Sequence, residues 1–352
     1  MSNPACFAIP GDLSAPTGGY EYARRLLRAL PHLVHLPLPG AFPYPSDADL
    51  AVASARLAAI PSDSVALIDG LAFGALPVRC LEAVRAPIVA LVHHPLCLET
   101  GLSDAARELL RSSEQASLSR AARVITTSAS TARLLAHDFG VSAARLSIAE
   151  PGTDPAERSA PGGVPPRLLA VGAVVPRKGY DLLLQALAQL DHLPWTLTIA
   201  GALDRDGAAV ERVRSAIAAY GLAARVTLAG TVDQATLDRL YAAADVFVIA
   251  SLHEGYGMAA AEALARGLPL VASSAGALTQ TVPEAAALTY PPGDVAGLRT
   301  ALHRMLTDPG CRTACSEASW SAGQGLPRWE QTARRVAAVL AGIRSPLSSP
   351  GG

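Results

Sequence analysis

The chain has 352 residues, of which 50% are hydrophobic and 17% are charged, and its formal net charge is −1. This length exceeds what one hydrophobic core usually serves, so we expect two domains. The near-neutral charge argues against a nucleic-acid partner, which would require a basic surplus or a basic stripe. The five cysteines are scattered and form no two-pair zinc pattern, so we expect them to be reduced thiols.

The first residues, MSNPACFAIPGDL, lack a basic segment followed by a long apolar one, so we do not expect a secretory signal. No apolar run approaches the roughly 20 residues that span a bilayer. We therefore expect a cytoplasmic protein and leave peripheral contact with the inner face of the membrane open. Arg24, Arg25 and Arg28 are candidates for contact with anionic lipid or an anionic acceptor, although such residues more often form a solvated helix face.

In the first half of the chain, short apolar runs alternate with amphipathic stretches, which is typical of α/β domains. The pattern predicts, in chain order, a strand at Cys6–Ile9, a helix at Tyr20–Leu30, strands at Val65–Asp69 and Ile88–His93, a helix at Arg107–Arg120, a strand at Val124–Thr127 and a helix at Ser130–Phe139. Residues 151–166, PGTDPAERSAPGGVPP, have no periodicity and predict an interdomain linker.

The alternating pattern restarts after this stretch. It predicts strands at Arg167–Val174, Thr196–Ala200, Arg225–Ala229, Val246–Ala250 and Pro269–Ser273, with helices at Tyr180–Leu190, around Val210 to Tyr220, after Gly257, and at Trp329–Ile343. Strands separated by helices predict a parallel, doubly wound sheet. The chain is therefore expected to form two Rossmann-like domains.

Ligands of open parallel sheets bind beyond the carboxyl ends of the strands, and two candidate segments of the first half lie at such places. Gly18 and Gly19 precede a predicted helix, where a ligand can approach the backbone, although such a pair taken alone is more often a plain turn. His93 ends a predicted strand and is placed to hydrogen-bond a sugar or phosphate, or to be an ordinary loop histidine. Because adjacent residues of a strand point in opposite directions, His93 and His94 do not predict a zinc site.

A third segment, VGAVVPRKG from Val171 to Gly179, places Arg177 and Lys178 at a glycine turn after a strand. Arginine binds a diphosphate through paired hydrogen bonds, and lysine acts on it as a point charge. The segment has neither the G-x-G-x-x-G spacing of dinucleotide sites nor the spacing of a P-loop. It predicts a diphosphate site, with a solvated basic turn as the alternative.

The fourth segment, SLHEGYGMAAAE from Ser251 to Glu262, leads from a strand through a glycine-rich loop into a helix, an arrangement that favours phosphate binding. Glu254 lies in the loop, where an acidic side chain is rarely buried without a partner. If both glutamates lay on one helix, eight residues would separate Glu254 from Glu262 by roughly 12 Å. Hydrolytic carboxylate pairs lie only about 5–9.5 Å apart. The spacing therefore favours two glutamates that contact two ends of one elongated ligand, with phosphates between them.

At these residues the chain resembles the GT-B glycosyltransferases, specifically the retaining family 4, or glycosyl transferases group 1. The matching parts are the E-x7-E motif Glu254 to Glu262 with its AEALARGLPLVAS tail, the segment Gly172–Gly179, the pair Gly18–Gly19 and the turn Pro292–Asp294. Three positions depart from the family pattern: Glu150–Asp154 reads EPGTD instead of the usual PNGVD before the linker, His94 replaces a common Asp, and the residues after Gly276 lack an acidic side chain. These departures concern the acceptor contacts and the identity of the sugar.

The resemblance implies an α/β fold of the GT-B type, in which two Rossmann-like domains with doubly wound parallel sheets face a central cleft. It implies that residues 1–155 form an acceptor-binding domain, 156–166 a linker and 167–328 a nucleotide-sugar donor-binding domain. Residues 329–345 would form a C-terminal helix that returns to the first domain, and residues 346–352 a flexible tail.

The resemblance also implies catalytic roles for Arg177, Lys178, Glu254 and His93. Arg177 and Lys178 would hold the donor diphosphate, Glu254 would contact hydroxyls of the transferred sugar, and His93 would face the reacting centre. Glu262 would bind the ribose hydroxyls. Further donor-binding positions are implied at Gly18, Gly19, Gly172, Gly255, Tyr256, Gly257, Met258, Gly276 and Ala277.

The function implied is a retaining, metal-independent transfer of a hexose-type sugar from a UDP-, GDP- or ADP-sugar to an acceptor hydroxyl, in bacterial-type polysaccharide, lipopolysaccharide or glycolipid synthesis. The acceptor would be a saccharide, a lipid-linked molecule or a small molecule. We expect no cofactor and no divalent metal, in agreement with the absence of an Asp-x-Asp motif in a suitable loop. Two alternatives stay open, a degenerate donor-binding subunit without its own turnover and a GT-B-fold sugar-nucleotide epimerase. The oligomeric state is not predicted.

Overall fold

A computed structural model describes residues 5–160 and 162–343, and these residues divide into two compact units. The first unit comprises the described residues up to Gly152 together with those from Pro327 onward. The second unit comprises Thr153–Leu326. The predicted flexible tail, residues 346–352, lies outside the described residues.

The first unit is built around a parallel sheet. Its strands are β1 (Ala5–Pro10), β2 (Leu33–Leu38), β3 (Val65–Asp69), β4 (Ile88–Val92), β5 (Arg123–Thr126) and β6 (Leu146–Ile148), and they pair in the order β2-β1-β3-β4-β5-β6. Its helices up to residue 152 are α1 (Gly18–Ala29), α2 (Asp47–Ala58), α3 (Gly70–Phe73), α4 (Val78–Glu82), α5 (Asp104–Arg120) and α6 (Ala129–Asp138). Strands β3 and β4 are buried at every residue, as strands covered on both faces require.

The second unit repeats this architecture. Its strands are β7 (Arg167–Val171), β8 (Thr196–Ala200), β9 (Val226–Gly230), β10 (Val246–Ile249), β11 (Leu270–Ser273) and β12 (Ala287–Tyr290), in the order β12-β11-β10-β7-β8-β9. Its helices are α7 (Tyr180–Ala188), α8 (Gly207–Ala219), α9 (Gln234–Ala243), α10 (Met258–Ala265), α11 (Leu278–Thr281), α12 (Val295–Thr307) and α13 (Pro309–Gln324). Two apolar clusters cover the two faces of this sheet, with Leu168 and Val248 in one and Leu169 and Phe247 in the other.

The prediction of doubly wound parallel sheets is therefore confirmed. In each sheet the strand order reverses once, between β1 and β3 in the first unit and between β7 and β10 in the second. In doubly wound folds the loops at such a reversal run to opposite faces of the sheet, and ligands bind in the crevice between them.

The last helix, α14 (Trp329–Ala341), belongs to the first unit. The Trp329 ring packs edge-on against the ring of Tyr22 on α1, with 5.8 Å between the centroids. The Thr332 hydroxyl donates to the Glu150 carbonyl at 2.7 Å. The chain thus leaves the second unit after Leu326 and ends its described part on the first. No helix within the described ranges has both the length and the apolar character needed to cross a bilayer.

The predicted linker at residues 156–166 is held along the second unit by hydrogen bonds of its described residues. The Ser159 hydroxyl donates to the Tyr241 carbonyl at 3.0 Å. The backbone N–H groups of Gly162 and Gly163 donate to the buried Asp245 carboxylate at 2.6 and 2.9 Å. Absence of periodicity indicates irregular backbone, but it does not reveal such long-range hydrogen bonds.

Candidate active site

Two neighbouring strands of the second sheet end at the point where the strand order reverses, and both are followed by polar residues. The loop after β7 carries Arg177 and Lys178, and the loop after β10 carries Ser251 and Glu254. The topology thereby brings together two predicted segments that are more than 70 residues apart in the sequence.

Arg177 and Lys178 lie on a short 3-10 turn, Pro176–Lys178, which ends at Gly179. Gly179 has a φ of +61°, and a Cβ at this position would lie 2.3 Å from the Ala250 carbonyl oxygen. Only glycine permits this backbone conformation and this close approach at low cost. The glycine therefore allows the cationic turn to pack directly against the end of β10.

The Glu254 carboxylate is the centre of a buried ionic cluster. Its Oε1 accepts hydrogen bonds from Lys178 Nζ at 2.7 Å and from the Ser251 hydroxyl at 2.6 Å. Its Oε2 lies 3.5 Å from a terminal nitrogen of Arg177, which also donates to the His253 carbonyl at 2.8 Å. Only 8% of Glu254 is exposed. The expectation that this loop glutamate has a partner is met by two cations and a hydroxyl.

Charge balance makes this cluster suitable for an anion. Burial acts to raise the pKa of Glu254, but the charges of Lys178 and Arg177 and the hydrogen bonds from Lys178 and Ser251 outweigh it and lower the pKa to about 2. The carboxylate is therefore ionised at neutral pH, and two cations facing one anion leave an excess of one positive charge. Lys178 is also the only lysine of the chain.

The loop from Gly255 to Met258 joins the cluster to α10. Gly257 caps this helix with a φ of +94°. The first backbone N–H groups of any helix, here from Met258 onward, have no acceptor within the helix and carry partial positive charge. Their position directly after Glu254 adds a second electropositive group beside the two cations.

A second loop, at Gly276–Ala277, supports the first one. The Ala277 N–H donates to the Glu254 carbonyl at 2.9 Å. The carbonyl of Tyr256 accepts a hydrogen bond from the Thr281 hydroxyl at 2.6 Å. These contacts place Gly276 and Ala277 against the loop that contains Glu254, as members of one site.

Two other predicted donor-binding residues are also located in the second unit. Glu262 lies in the second turn of α10, where its Oε2 accepts a hydrogen bond from the Tyr241 hydroxyl at 2.9 Å. Gly172 follows β7 directly, and its carbonyl accepts from the Tyr180 hydroxyl at 3.0 Å. The Lys178 side chain runs beside it, since a Cβ on Gly172 would lie 2.7 Å from Lys178 Cε.

The predicted residues of the first unit form a separate group. Gly18 and Gly19 begin α1, and His93 follows β4. His93 Nε2 lies 3.5 Å from where a Cβ of Gly19 would stand, so a side chain there would cover the imidazole. The ring of His93 contacts the edge of Tyr22, with 5.3 Å between centroids, and its Nε2 lies 3.6 Å from the buried Asp69 carboxylate at the end of β3.

His94 points to a different partner from His93. Its Nε2 lies 2.6 Å from Glu99 Oε1, whereas His93 Nε2 lies 3.6 Å from Asp69 Oδ2. The two imidazoles therefore face different carboxylates. Within residues 5–160 and 162–343, no group of three or more His, Cys, Asp or Glu side chains is arranged to hold a metal ion. Metal independence of the reaction itself stays a prediction.

Two of the three predicted arginines of α1, Arg24 and Arg25, are engaged by contacts inside the first unit. Arg24 donates to Glu21 Oε2 at 2.6 Å and Arg25 donates to Glu21 Oε1 at 2.6 Å. Arg25 also lies over the ring of Trp329, 5.4 Å from its centroid. These contacts weaken the case for Arg24 and Arg25 as binders of anionic lipid.

A buried glutamate, Glu114 on α5, supports the loop after β4. Its Oε2 accepts from the Leu96 N–H at 2.9 Å, and its Oε1 has no hydrogen-bond partner among the described residues. Only 1% of the residue is exposed. Burial raises its pKa from 4.5 to about 8, against the lowering effect of the Leu96 N–H. The carboxyl is therefore mostly neutral at pH 7.

We expect Glu114→Gln to abolish one component of the pH dependence of stability. Because the pKa of Glu114 is higher in the folded state, its protonated carboxyl contributes to the free energy of unfolding. This contribution is full below pH 4.5 and is lost as the pH rises to about 8, at up to about 1.4 kcal/mol per pH unit. Urea unfolding at pH 5 and pH 8 should show the wild type losing stability relative to the variant. Glu108→Gln, on the exposed face of α5, is the matched control and should follow the wild type. Parallel behaviour of Glu114→Gln and the wild type would contradict the assignment.

Three residues of these sites were not predicted. Ser251 was within the quoted motif but had no assigned role, and Asp69 ends a predicted strand, so the strand-end rule was sufficient to flag it. Tyr241 has no sequence signal, because an aromatic residue on an amphipathic helix is most often core.

Both parts of the chain match known family models. Residues 156–320 match the model described as Glycosyl transferases group 1, and residues 12–157 match Glycosyltransferase Family 4. The MMP alpha-(1->4)-mannosyltransferase of Mycolicibacterium hassiacum is 31% identical over 283 residues, covering 72% of this chain and 67% of the relative.

Other relatives match over a smaller part. The 2-deoxystreptamine glucosyltransferase of Streptomyces kanamyceticus is 29% identical over 57% of this chain and 55% of its own length. D-inositol 3-phosphate glycosyltransferase 2 of Catenulispora acidiphila is 33% identical over 52% of this chain and 49% of its own. The matched part thus spans about half the length of these two relatives.

Solved structures share the fold. Sucrose-phosphate synthase from Thermosynechococcus elongatus superposes with a TM-score of 0.80 at 24% identity, covering 96% of this chain and 98% of that one. HepE of Anabaena in complex with UDP and glucose gives a TM-score of 0.76 at 17% identity, covering 97% and 100%.

Proposed function

The chain belongs to the group 1 glycosyltransferases of family 4 and has their GT-B fold, and on this premise we propose that it transfers a hexose-type sugar, with retention of configuration, from a nucleoside-diphosphate sugar to an acceptor hydroxyl. The observation that carries the proposal is the cluster of Arg177, Lys178 and Glu254 at the reversal point of the second sheet. It supplies a positive charge excess where a parallel sheet binds its ligand.

Arg177 and Lys178 act on the leaving group. As the bond between sugar and diphosphate breaks, negative charge grows on the departing diphosphate. The two cations and the N-terminus of α10 are already oriented before the reaction, because Glu254 and the His253 carbonyl hold the cations in place. Such preorganised charges lower the barrier without reorganisation. They perform the neutralisation for which other transferases use a divalent metal, and we propose that none is required.

The two glutamates contact the two ends of the donor. Glu262, whose carboxylate is only partly buried, accepts hydrogen bonds from the ribose hydroxyls. Glu254 contacts the transferred sugar through Oε2, which lies 3.5 Å from Arg177 and accepts a hydrogen bond from a sugar hydroxyl. The loop backbone at Gly276 and Ala277 completes the donor site.

The first unit binds the acceptor. His93 follows β4, with the buried Asp69 carboxylate beside its imidazole and with no side chain from Gly19 against its Nε2. The acceptors named for two relatives, 2-deoxystreptamine and D-inositol 3-phosphate, carry several hydroxyls on a ring. These names support an acceptor of the same kind, a small or saccharide polyol, for this chain.

A panel of nucleotides tests the donor assignment. Titration calorimetry with UDP, GDP and ADP should show binding of one of them, and Glu262→Ala should weaken that binding about tenfold by removing a charged acceptor for the ribose. Glu211→Ala, on the exposed face of α8 in the same unit, should bind like the wild type. Absence of binding by any nucleoside diphosphate would overturn the proposed function.

A further inference from the structure

The orientation of Glu262 depends on a buried tyrosine of another helix. Tyr241 of α9 is fully buried, and its hydroxyl lies 2.9 Å from Glu262 Oε2 and 3.3 Å from the Ala259 carbonyl. Burial and the nearby Glu262 charge raise the pKa of Tyr241 well above its ordinary value. The phenol therefore keeps its proton and acts as a donor to the carboxylate throughout the ordinary pH range.

The Tyr241 ring is held from several directions. It stacks on Phe247 of β10 with 5.6 Å between centroids and 22° between planes. The Arg266 guanidinium lies over it, 4.5 Å from the centroid, and the same arginine is fixed by Asp238 at 2.5 Å and by the Glu262 carbonyl at 3.1 Å. The phenol is thus presented to the carboxylate from a rigid position.

The fixed position of the Tyr241 phenol limits the orientations of the Glu262 carboxylate. A free glutamate side chain samples several rotamers and loses this freedom when it binds a ligand. One hydrogen bond from a fixed donor to Oε2 selects the orientation of the Glu262 carboxylate before a ligand binds. Preorganisation of this kind increases affinity by lowering the ordering cost.

We propose that Tyr241 is a positioning residue that aims Glu262 at the ribose hydroxyls of the donor nucleotide and so makes the site selective for ribonucleotides over deoxyribonucleotides. This inference rests on the proposed function. Tyr241 does not contact the nucleotide; it acts through the Glu262 carboxylate. Its hydroxyl, not its ring, carries the effect.

The test compares Tyr241→Phe with the wild type in the full chain. The probes are whichever of UDP, GDP and ADP the wild type binds, and its 2′-deoxy counterpart. Tyr241→Phe should weaken binding of the ribonucleotide about 2- to 10-fold, and no more than Glu262→Ala does, because only the preorganisation of the carboxylate is lost, while binding of the deoxynucleotide changes much less. Tyr290→Phe removes another buried hydroxyl of the same unit, one that donates to the Ile249 carbonyl at 3.3 Å, and should leave the preference unchanged.

A double-mutant cycle excludes a merely structural role. In the Glu262→Ala background, Tyr241→Phe should have no further effect on nucleotide affinity, because the carboxylate it orients is gone. Equal losses for ribo- and deoxyribonucleotide, or an undiminished effect without Glu262, would overturn the inference. Failure of the wild type to bind any nucleoside diphosphate would instead overturn the proposed function, so the two failures are distinguishable.

Discussion

Replacement of Lys178 by methionine is expected to lower the turnover of the nucleotide sugar about 100- to 1,000-fold, the range found when one preorganised charge-stabilising donor is removed from a site. Methionine keeps an unbranched apolar side chain of similar length but carries no charge. The loss should appear in kcat more than in KM, because the charge on the diphosphate grows as the bond to the sugar breaks. Steady-state kinetics with the preferred donor measures both constants.

Two controls separate this effect from misfolding. Lys178→Arg retains a cation beside Glu254 and should keep more activity than Lys178→Met. Because Lys178 is the only lysine, reductive methylation with ¹³C-formaldehyde labels only this side chain and an α-amino group. Its methyl resonance should shift when the nucleoside diphosphate is added to the wild type. Equal kcat in Lys178→Met and the wild type, or an unmoved resonance at saturating nucleotide, would contradict the role.

Replacement of Glu254 by glutamine is the second change with a large expected effect. It removes the only anion of the cluster and leaves Arg177 and Lys178 facing an amide. The net charge of the cluster rises from +1 to +2, so affinity for the free nucleoside diphosphate should stay equal or increase. Turnover should nevertheless fall about 100-fold, because the cations lose the group that orients them and the sugar loses a charged acceptor. Calorimetry measures the affinity for the diphosphate and steady-state kinetics measures the turnover, both on one preparation of the variant.

The same variant should alter the acid limb of the stability profile. Because folding lowers the pKa of Glu254 from 4.5 to about 2, its ionised carboxylate stabilises the fold above pH 4.5. This stabilisation is lost as the pH falls towards 2. The difference amounts to about 3 kcal/mol. Relative to Glu254→Gln, the wild type should therefore lose stability between pH 4.5 and pH 2 in urea unfolding. Glu284→Gln, an exposed change in the same unit, should show no such difference. If Glu254→Gln lowered both the turnover and the affinity for the diphosphate, an excess of positive charge would not explain diphosphate binding.

The sequence predicted the parts of this molecule that depend on local pattern. The strand Val65–Asp69 and the strand Thr196–Ala200 have the predicted bounds, because both are apolar runs closed by polar or glycine residues. Strands β4 and β7 end earlier than predicted, at Val92 and Val171; beyond β7 the apolar residues Ala173 and Val174 belong to the loop. Strand β2 was missed because it contains Pro37 and His35, which an edge strand tolerates.

The sequence also predicts which residues of the candidate site lie close together, but not which of them pair. Arg177, Lys178 and Glu254 each follow a predicted strand, and parallel strands bring their carboxyl ends to one edge, so their proximity follows from topology. The ion pair between Lys178 and Glu254 does not follow, because rotamers and burial decide which groups meet. The bond from Tyr241 to Glu262 depends on how α9 packs beside α10, a long-range contact that no local period encodes.

In the proposed reaction, the second unit binds a nucleoside-diphosphate sugar and its cations promote departure of the diphosphate. The most direct measurement is release of nucleoside diphosphate from UDP-, GDP- and ADP-sugars in the presence of inositol phosphate, aminocyclitol and oligosaccharide acceptors, with wild type and Lys178→Met side by side. The account predicts that the wild type consumes one donor and that the variant consumes it at least 100-fold more slowly. No consumption of any donor by the wild type, or equal rates in both proteins, would contradict it.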